Sequence, residues 1–159
     1  MKEEISRGDA VVAENIEIDE ITGIIIENAM SIHKTIGPGL LESVYEAILA
    51  KKLEQCNLKV ERQKPVDFVY EGIQFKEGFR VDLLVCDRVV VELKSVEKLS
   101  PVHSKQLLTY LRLLELEVGL LMNFGGATLK EGLSRVVNNY IPSASPRLRV
   151  NQLESKELS

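Results

Sequence analysis

The stretch Gly78–Ser95, GFRVDLLVCDRVVVELKS, decides the fold. Val81, Leu83, Leu84 and Val85 make one apolar arm; Val89, Val90, Val91 and Leu93 make a second, across a tight turn at Cys86-Asp87-Arg88. Runs this continuous and β-branched suit strands buried on both faces. Asp82, Glu92 and Lys94 are set into them. Ionised groups are costly to bury without a partner or a metal, so this contradiction is the main functional signal in the chain.

Alternation along a strand puts Glu92 and Lys94 on one face. Asp82 joins them only if it lies opposite Glu92 or Lys94. A plain two-residue turn at Asp87-Arg88 would place Leu93 opposite Asp82 and send Glu92 to the other face. The reading therefore expects a three-residue turn or a bulge. Directly opposed residues hold their Cβ atoms about 4.5–5.5 Å apart. Two such carboxylates reach one Mg²⁺ through bonds of about 2.0–2.1 Å. A lysine beside them can orient or help deprotonate a water, which makes a hydrolytic metal centre. The same residues admit a structural reading, with Asp82–Lys94 a buried ion pair and Glu92 facing solvent at a sheet edge. Glu-x-Lys alone is common and does not decide between them.

The 159 residues are 45% hydrophobic and 28% charged, the balance of one ordinary globular domain. The first twenty residues hold seven acids against Lys2 and Arg7, a net −5. The formal −4 of the chain thus leaves about +1 on the remainder, which does not exclude a polyanionic substrate. No Lys/Arg block marks a dedicated DNA-binding surface. Cys56 and Cys86 are too few for a disulfide framework or a zinc site. The N-terminus has no apolar signal core and no run reaches membrane-spanning length, so a cytoplasmic protein with no membrane partner is expected.

Residues 1–17 read as an acidic arm, 18–141 as the domain and 142–159 as a polar tail. A first helix is expected from Asp19, its N-cap, to about Thr35, burying Ile21, Ile25, Ala29, Ile32 and Ile36, before Gly37-Pro38-Gly39 ends it. His33 near this end reads as a core-edge or capping residue. A second helix spans about Leu40–Cys56, with Leu41, Val44, Tyr45, Ile48, Leu49 and Leu53 inward. Glu42, on the border of that stripe, is either a helix N-terminal charge or an acid facing the hairpin. Lys59–Arg62 and Val66–Tyr70 are short strands interrupted by Lys64-Pro65, and Glu71-Gly72 is a turn before Ile73–Phe79. Ser100-Pro101 starts a helix to about Glu117, on which Gln106 and Tyr110 share a face. Val118–Phe124 is a strand, and Leu129 to about Tyr140 a final helix with Leu133, Val136 and Val137 inward. The last two helices offer a face for a homodimer.

The order helix-Glu, Asp, Glu-x-Lys, helix-Gln resembles the PD-(D/E)XK nuclease superfamily. The segment Ile36–Glu46, IGPGLLESVYE, and Gly119–Gly125, GLLMNFG, with Leu129-Lys130, are similar to the small GxxExxxY proteins within it; here the tyrosine stands three residues after Glu42. The resemblance covers roughly Ile21 to Tyr140. It implies an α/β, restriction-endonuclease-like αβββαβ core, a mixed sheet flanked by helices. Asp82 and Glu92 would hold Mg²⁺ or Mn²⁺, with the Leu93 backbone carbonyl as a further ligand. Lys94 would position the attacking water or stabilise the phosphorane, and Glu42 would support the metal. Gln106 and Tyr110 resemble the Gln-x-x-x-Tyr helix motif of RecB-like nucleases and would touch substrate. Val81 stands where the superfamily's name has proline. The implied activity is hydrolysis of nucleic acid, DNA ahead of RNA, by a metal-activated water. The alternative is a non-catalytic nucleic-acid-binding or assembly module on the same scaffold. A third reading is a structural domain whose charges form a salt-bridge network.

Overall fold

The computed structural model describes residues 15–139. The arm before Asn15 and the tail from Tyr140 lie outside the described residues. The elements run α1 (Ile18–Ile36), α2 (Glu42–Gln55), β1 (Val60–Tyr70), β2 (Ile73–Val85), β3 (Val89–Lys94), α3 (Pro101–Leu114), β4 (Val118–Asn123), a 3₁₀ turn (Lys130–Gly132) and β5 (Leu133–Val137). The expected αβββαβ order is present. Strands lie in the order β1-β2-β3-β4-β5, with β3 and β4 parallel and the other neighbours antiparallel.

The central hairpin is buried on both faces because helices cover both. Leu83, Val85, Val89, Val91 and Leu93 join Ile21, Ile25, Leu49 and Leu53 of α1 and α2 in one core. On the other face Leu84, Val90 and Leu121 pack with Leu107 and Leu111 of α3. The crossover β3–α3–β4 starts where Ser100 and Pro101 set it. The Ser100 hydroxyl accepts the Val102 N–H, and His103 Nδ1 accepts the Ser100 N–H.

Several expectations are corrected. Asp19 does not cap α1: Glu17 holds that position without a side-chain bond, and Asp19, in the first turn, pairs with Arg135 at 2.6 Å. Ile36, Val44 and Leu41 are exposed, Leu41 by 74%. The buried stripe of α2 is instead Tyr45, Glu46, Leu49, Ala50 and Leu53, because the Tyr45 ring stacks on Phe124 at 4.5 Å and sets the helix rotation. Lys64-Pro65 does not interrupt β1. That strand is at the sheet edge, where a proline lacking an N–H costs no ladder bond.

The largest correction concerns Leu129–Tyr140. After the 3₁₀ turn, Leu133–Val137 forms β5 against β4, pairing Val118 with Val137 through Met122 with Leu133. Leu133, Val136 and Val137 stand three and four apart, a spacing that also fits a helix face. Pairing wins because β4 would otherwise be an open edge of unsatisfied N–H and C=O groups. Alternation then sends Leu133 to one core and Val136 to the other. The two-helix face expected for a homodimer is not formed.

Candidate active site

The turn after β2 has three residues, with Val85 paired to Val89 and Leu83 to Val91. Cys86 and Asp87 both take left-handed φ, 53° and 55°, and the Arg88 N–H donates to the Val85 carbonyl at 3.0 Å. This register carries Asp82 to a position opposite Glu92. Backbone pairing stops at Leu83↔Val91, and the carboxylates take its place. The Asp82 N–H donates to Glu92 Oε1 at 3.0 Å, and the Leu93 N–H donates to Asp82 Oδ2 at 2.9 Å. Each acid is thus fixed by an amide of the opposite strand. Lys94, two residues beyond Glu92 on the same face, is half-buried, and its ammonium makes no hydrogen bond or ion pair among the described residues, while its carbonyl accepts the Phe124 N–H at 2.8 Å. The buried Asp82–Lys94 ion pair is therefore not formed, and Glu92, 8% exposed, does not face solvent.

A third acid approaches from α2, and it is Glu46 rather than Glu42. Glu46 is buried. Its Oε2 accepts from Arg62 Nη2 at 3.0 Å and Nε at 3.3 Å. Its Oε1 accepts from Gln63 Nε2, which also donates to Asp82 Oδ1 at 3.2 Å. Gln63 holds this bridge from a left-handed backbone, φ 47°. Glu42 is exposed at the start of α2, and its Oε1 accepts the Ser95 N–H at 3.2 Å, one residue past Lys94. It therefore borders the end of β3. Gln106 is exposed on α3, one turn before Tyr110.

The electrostatics follow from crowding acids in a dry place. Burial, then the Asp82 charge, pushes Glu92 up to about 8, against the pull of the Asp82 N–H and Lys94. Asp82 is also raised, by burial first and by Glu46, while the Leu93 N–H, Gln63 and Lys94 oppose the change. The Tyr110 phenol is raised by burial and by the charges of Glu92 and Asp82, so it stands in the field of both carboxylates. Arg62 is engaged by Glu46, which leaves the Asp82–Glu92 pair short of positive charge.

Such a donor set fits a hard divalent cation. Among the described residues no three His, Cys, Asp or Glu side chains are gathered closely enough to hold a metal by themselves. Mg²⁺ nevertheless binds through as few as one or two carboxylates, keeping several waters.

The family model described as the PD-(D/E)XK nuclease superfamily matches residues 19–136, from α1 into β5. The chain belongs to the PD-(D/E)XK nuclease superfamily. No curated protein matches it closely enough to count as a relative. PD-(D/E)XK nucleases generally use divalent metals and act on nucleic acid, in line with the paired carboxylates. No helix among the described residues is long and apolar enough to cross a membrane.

Sequence reasoning missed Glu46 and Gln63. Glu46 had a legible signal: it shares a buried stripe with Leu49, Ala50 and Leu53, the same charge-in-core conflict that marked the hairpin. Gln63 had none, since its role depends on β1 register. The IGPGLLESVYE segment has a structural use. The Tyr45 hydroxyl donates to the Gly37 carbonyl at 2.6 Å and accepts the Leu40 N–H at 3.2 Å, shaping the loop before Glu42. Ser95 Oγ then ties Leu40 to the end of β3. His33 takes the core-edge role expected of it, with Nε2 3.0 Å from the Gly126 carbonyl.

Proposed function

We propose that this PD-(D/E)XK protein is a Mg²⁺- or Mn²⁺-dependent phosphodiesterase that hydrolyses nucleic acid, DNA ahead of RNA, in the cytoplasm. The observation that carries the reading is the reciprocal pairing of Asp82 and Glu92 across the β2–β3 hairpin, with Lys94 on the same face. Asp82, Glu92 and the Leu93 carbonyl would hold the cation, which would supply Lewis-acid stabilisation of phosphate charge and make water more acidic. Lys94 orients the attacking water and stabilises the negative charge that develops on phosphorus. Gln63 and Glu46 hold the orientation of Asp82. Glu42 supports the site from its rim through the Ser95 amide, and Gln106 and Tyr110 meet the substrate from α3. The Tyr45-built loop supports a place among the GxxExxxY proteins.

The test mixes purified protein with labelled single- and double-stranded DNA and RNA in Mg²⁺ or Mn²⁺. Asp82→Ala and Lys94→Ala should each reduce cleavage by about 10²–10³-fold or more. Cleavage at wild-type rates by either variant would overturn the assignment.

A further inference from the structure

We infer that the projecting part of the β1–β2 hairpin is a stacking platform for unpaired nucleotides, leading them into the carboxylate site. The inference rests on the nucleic-acid reading above and adds the substrate's form, a single strand or frayed end.

The two long strands outrun the sheet. β3 pairs only with Leu83–Val85 of β2, whereas β1 stays paired with β2 out to Tyr70↔Ile73. Everything beyond the carboxylates is therefore a two-stranded ribbon. Its tip is a tight turn, with Glu71 and Gly72 at φ 48° and 78°.

One face of this ribbon is a row of apolar cross-strand pairs: Val66↔Phe79, Phe68↔Phe75 and Tyr70↔Ile73. The rings touch in sequence. Tyr110 of α3 stacks on Phe79 at 4.3 Å, Phe79 meets Phe68 at 6.1 Å, and Phe68 stacks on Phe75 at 4.9 Å. The inner end of the row lies in the field of Asp82 and Glu92, through Tyr110. Exposure rises outward, from 6% at Val66 to 40% at Phe75 and 62% at Tyr70. The row is thus continuous from the reacting end of the site to open solvent.

The chemistry of the face selects its occupant. None of the three pairs contains a carboxylate. Asp67 alternates to the opposite face, where its Oδ1 accepts the Glu77 N–H, and Glu77 sits in the bulge 3.8 Å from Arg80. The Phe68 ring lies across Gly78, where any Cβ would collide with it, so the central ring lies flat along the ribbon backbone. Exposed rings along the ribbon, on a face whose cross-strand pairs carry no acid and which ends at phosphodiester chemistry, suit base stacking. Each cross-strand step covers two residues, about 6.6 Å, close to the span of one extended nucleotide. A second copy of the chain fits less well. The large apolar side chains exposed on this face are Tyr70, Ile73 and Phe75, against the roughly 20–30 residues a side that a stable interface uses.

Fluorescence anisotropy with a labelled oligothymidine, and with a blunt duplex of the same length, tests this in EDTA, where no turnover occurs. Phe75→Ala and Tyr70→Ala, both at exposed positions, should each weaken single-strand binding roughly ten-fold while leaving the duplex unchanged. Phe75→Trp should restore affinity. Matching thermal melts confirm that the variants are folded. Unchanged single-strand affinity in both alanine variants, or an equal loss on duplex, would overturn the platform. So would a wild-type dimer in sedimentation that Tyr70→Ala dissociates, because the face would then belong to a second copy. Asp82-dependent cleavage with ribbon-independent binding defeats the platform alone. Ribbon-dependent binding without cleavage in Mg²⁺ or Mn²⁺ supports the platform and defeats the hydrolase reading.

Discussion

Replacing Glu92 with Gln should abolish the main pH dependence of stability in the metal-free protein. Burial and the neighbouring Asp82 hold the Glu92 carboxyl at about 8, against 4.5 for an ordinary glutamate. Between those values the folded protein keeps a proton that the unfolded chain has released. The contribution of this group is therefore fully present below about pH 4.5 and is lost as pH rises through about 8. At 1.36 kcal/mol per pH unit the full effect is roughly 5 kcal/mol. Asp82 and Glu92 titrate as a pair, so the loss belongs to both carboxyls together. It is comparable with the whole stability of many domains, about 5–15 kcal/mol. Urea unfolding in EDTA, stepped from about pH 5 to about pH 9, reads it directly. The wild-type midpoint should fall steadily, while Glu92→Gln stays nearly level and becomes the more stable protein at the alkaline end. Millimolar Mn²⁺ should reverse the wild-type loss, since a ligand that binds only the folded, ionised pair stabilises it by mass action. It should do little for Glu92→Gln. Parallel curves for the two proteins in EDTA would refute the claim that a desolvated acid pair dominates this site.

Three further outcomes test the surrounding frame. Gln63→Ala removes the amide shared by Glu46 and Asp82, and should weaken Mn²⁺ binding by about 10–100-fold in calorimetry, with cleavage falling in step. Tyr45→Phe keeps the stack on Phe124 but leaves the Gly37 carbonyl and Leu40 N–H without their partner; denaturant unfolding should show a loss of about 1–3 kcal/mol. Gly125→Ala would set a Cβ 2.6 Å from the Val96 nitrogen and 2.8 Å from its carbonyl carbon, backbone that cannot rotate away. A loss of about 1–3 kcal/mol is expected. Gly126→Ala, whose Cβ would come no nearer than 3.5 Å to Thr128, should be tolerated, and equal losses at the two positions would show that the close approach is unimportant.

Particular residues show where local information stops. Ser100-Pro101 starts α3 as read, because capping and a fixed proline φ act within a few residues. The run Leu133–Val137 is locally ambiguous because its spacing satisfies two periods at once. Only the presence of β4 beside it, with an edge to be paired, selects the strand. Glu42 and Glu46 stand one helical turn apart, and the rotation of α2 decides which enters the core. That rotation comes from Phe124, almost eighty residues away in the chain.

By itself, the sequence determined the two apolar arms, the charges set into them and the odd-length turn needed to bring those charges together. Burial preference and strand alternation are properties of neighbouring residues, so they can be read in order along the chain. Tertiary structure alone decided that Gln63 bridges Glu46 to Asp82, that the two hairpin carboxylates exchange bonds with each other's backbone, and that β5 closes the sheet. These depend on which distant segment supplies the missing hydrogen-bond partner, and that is settled only when the layers pack.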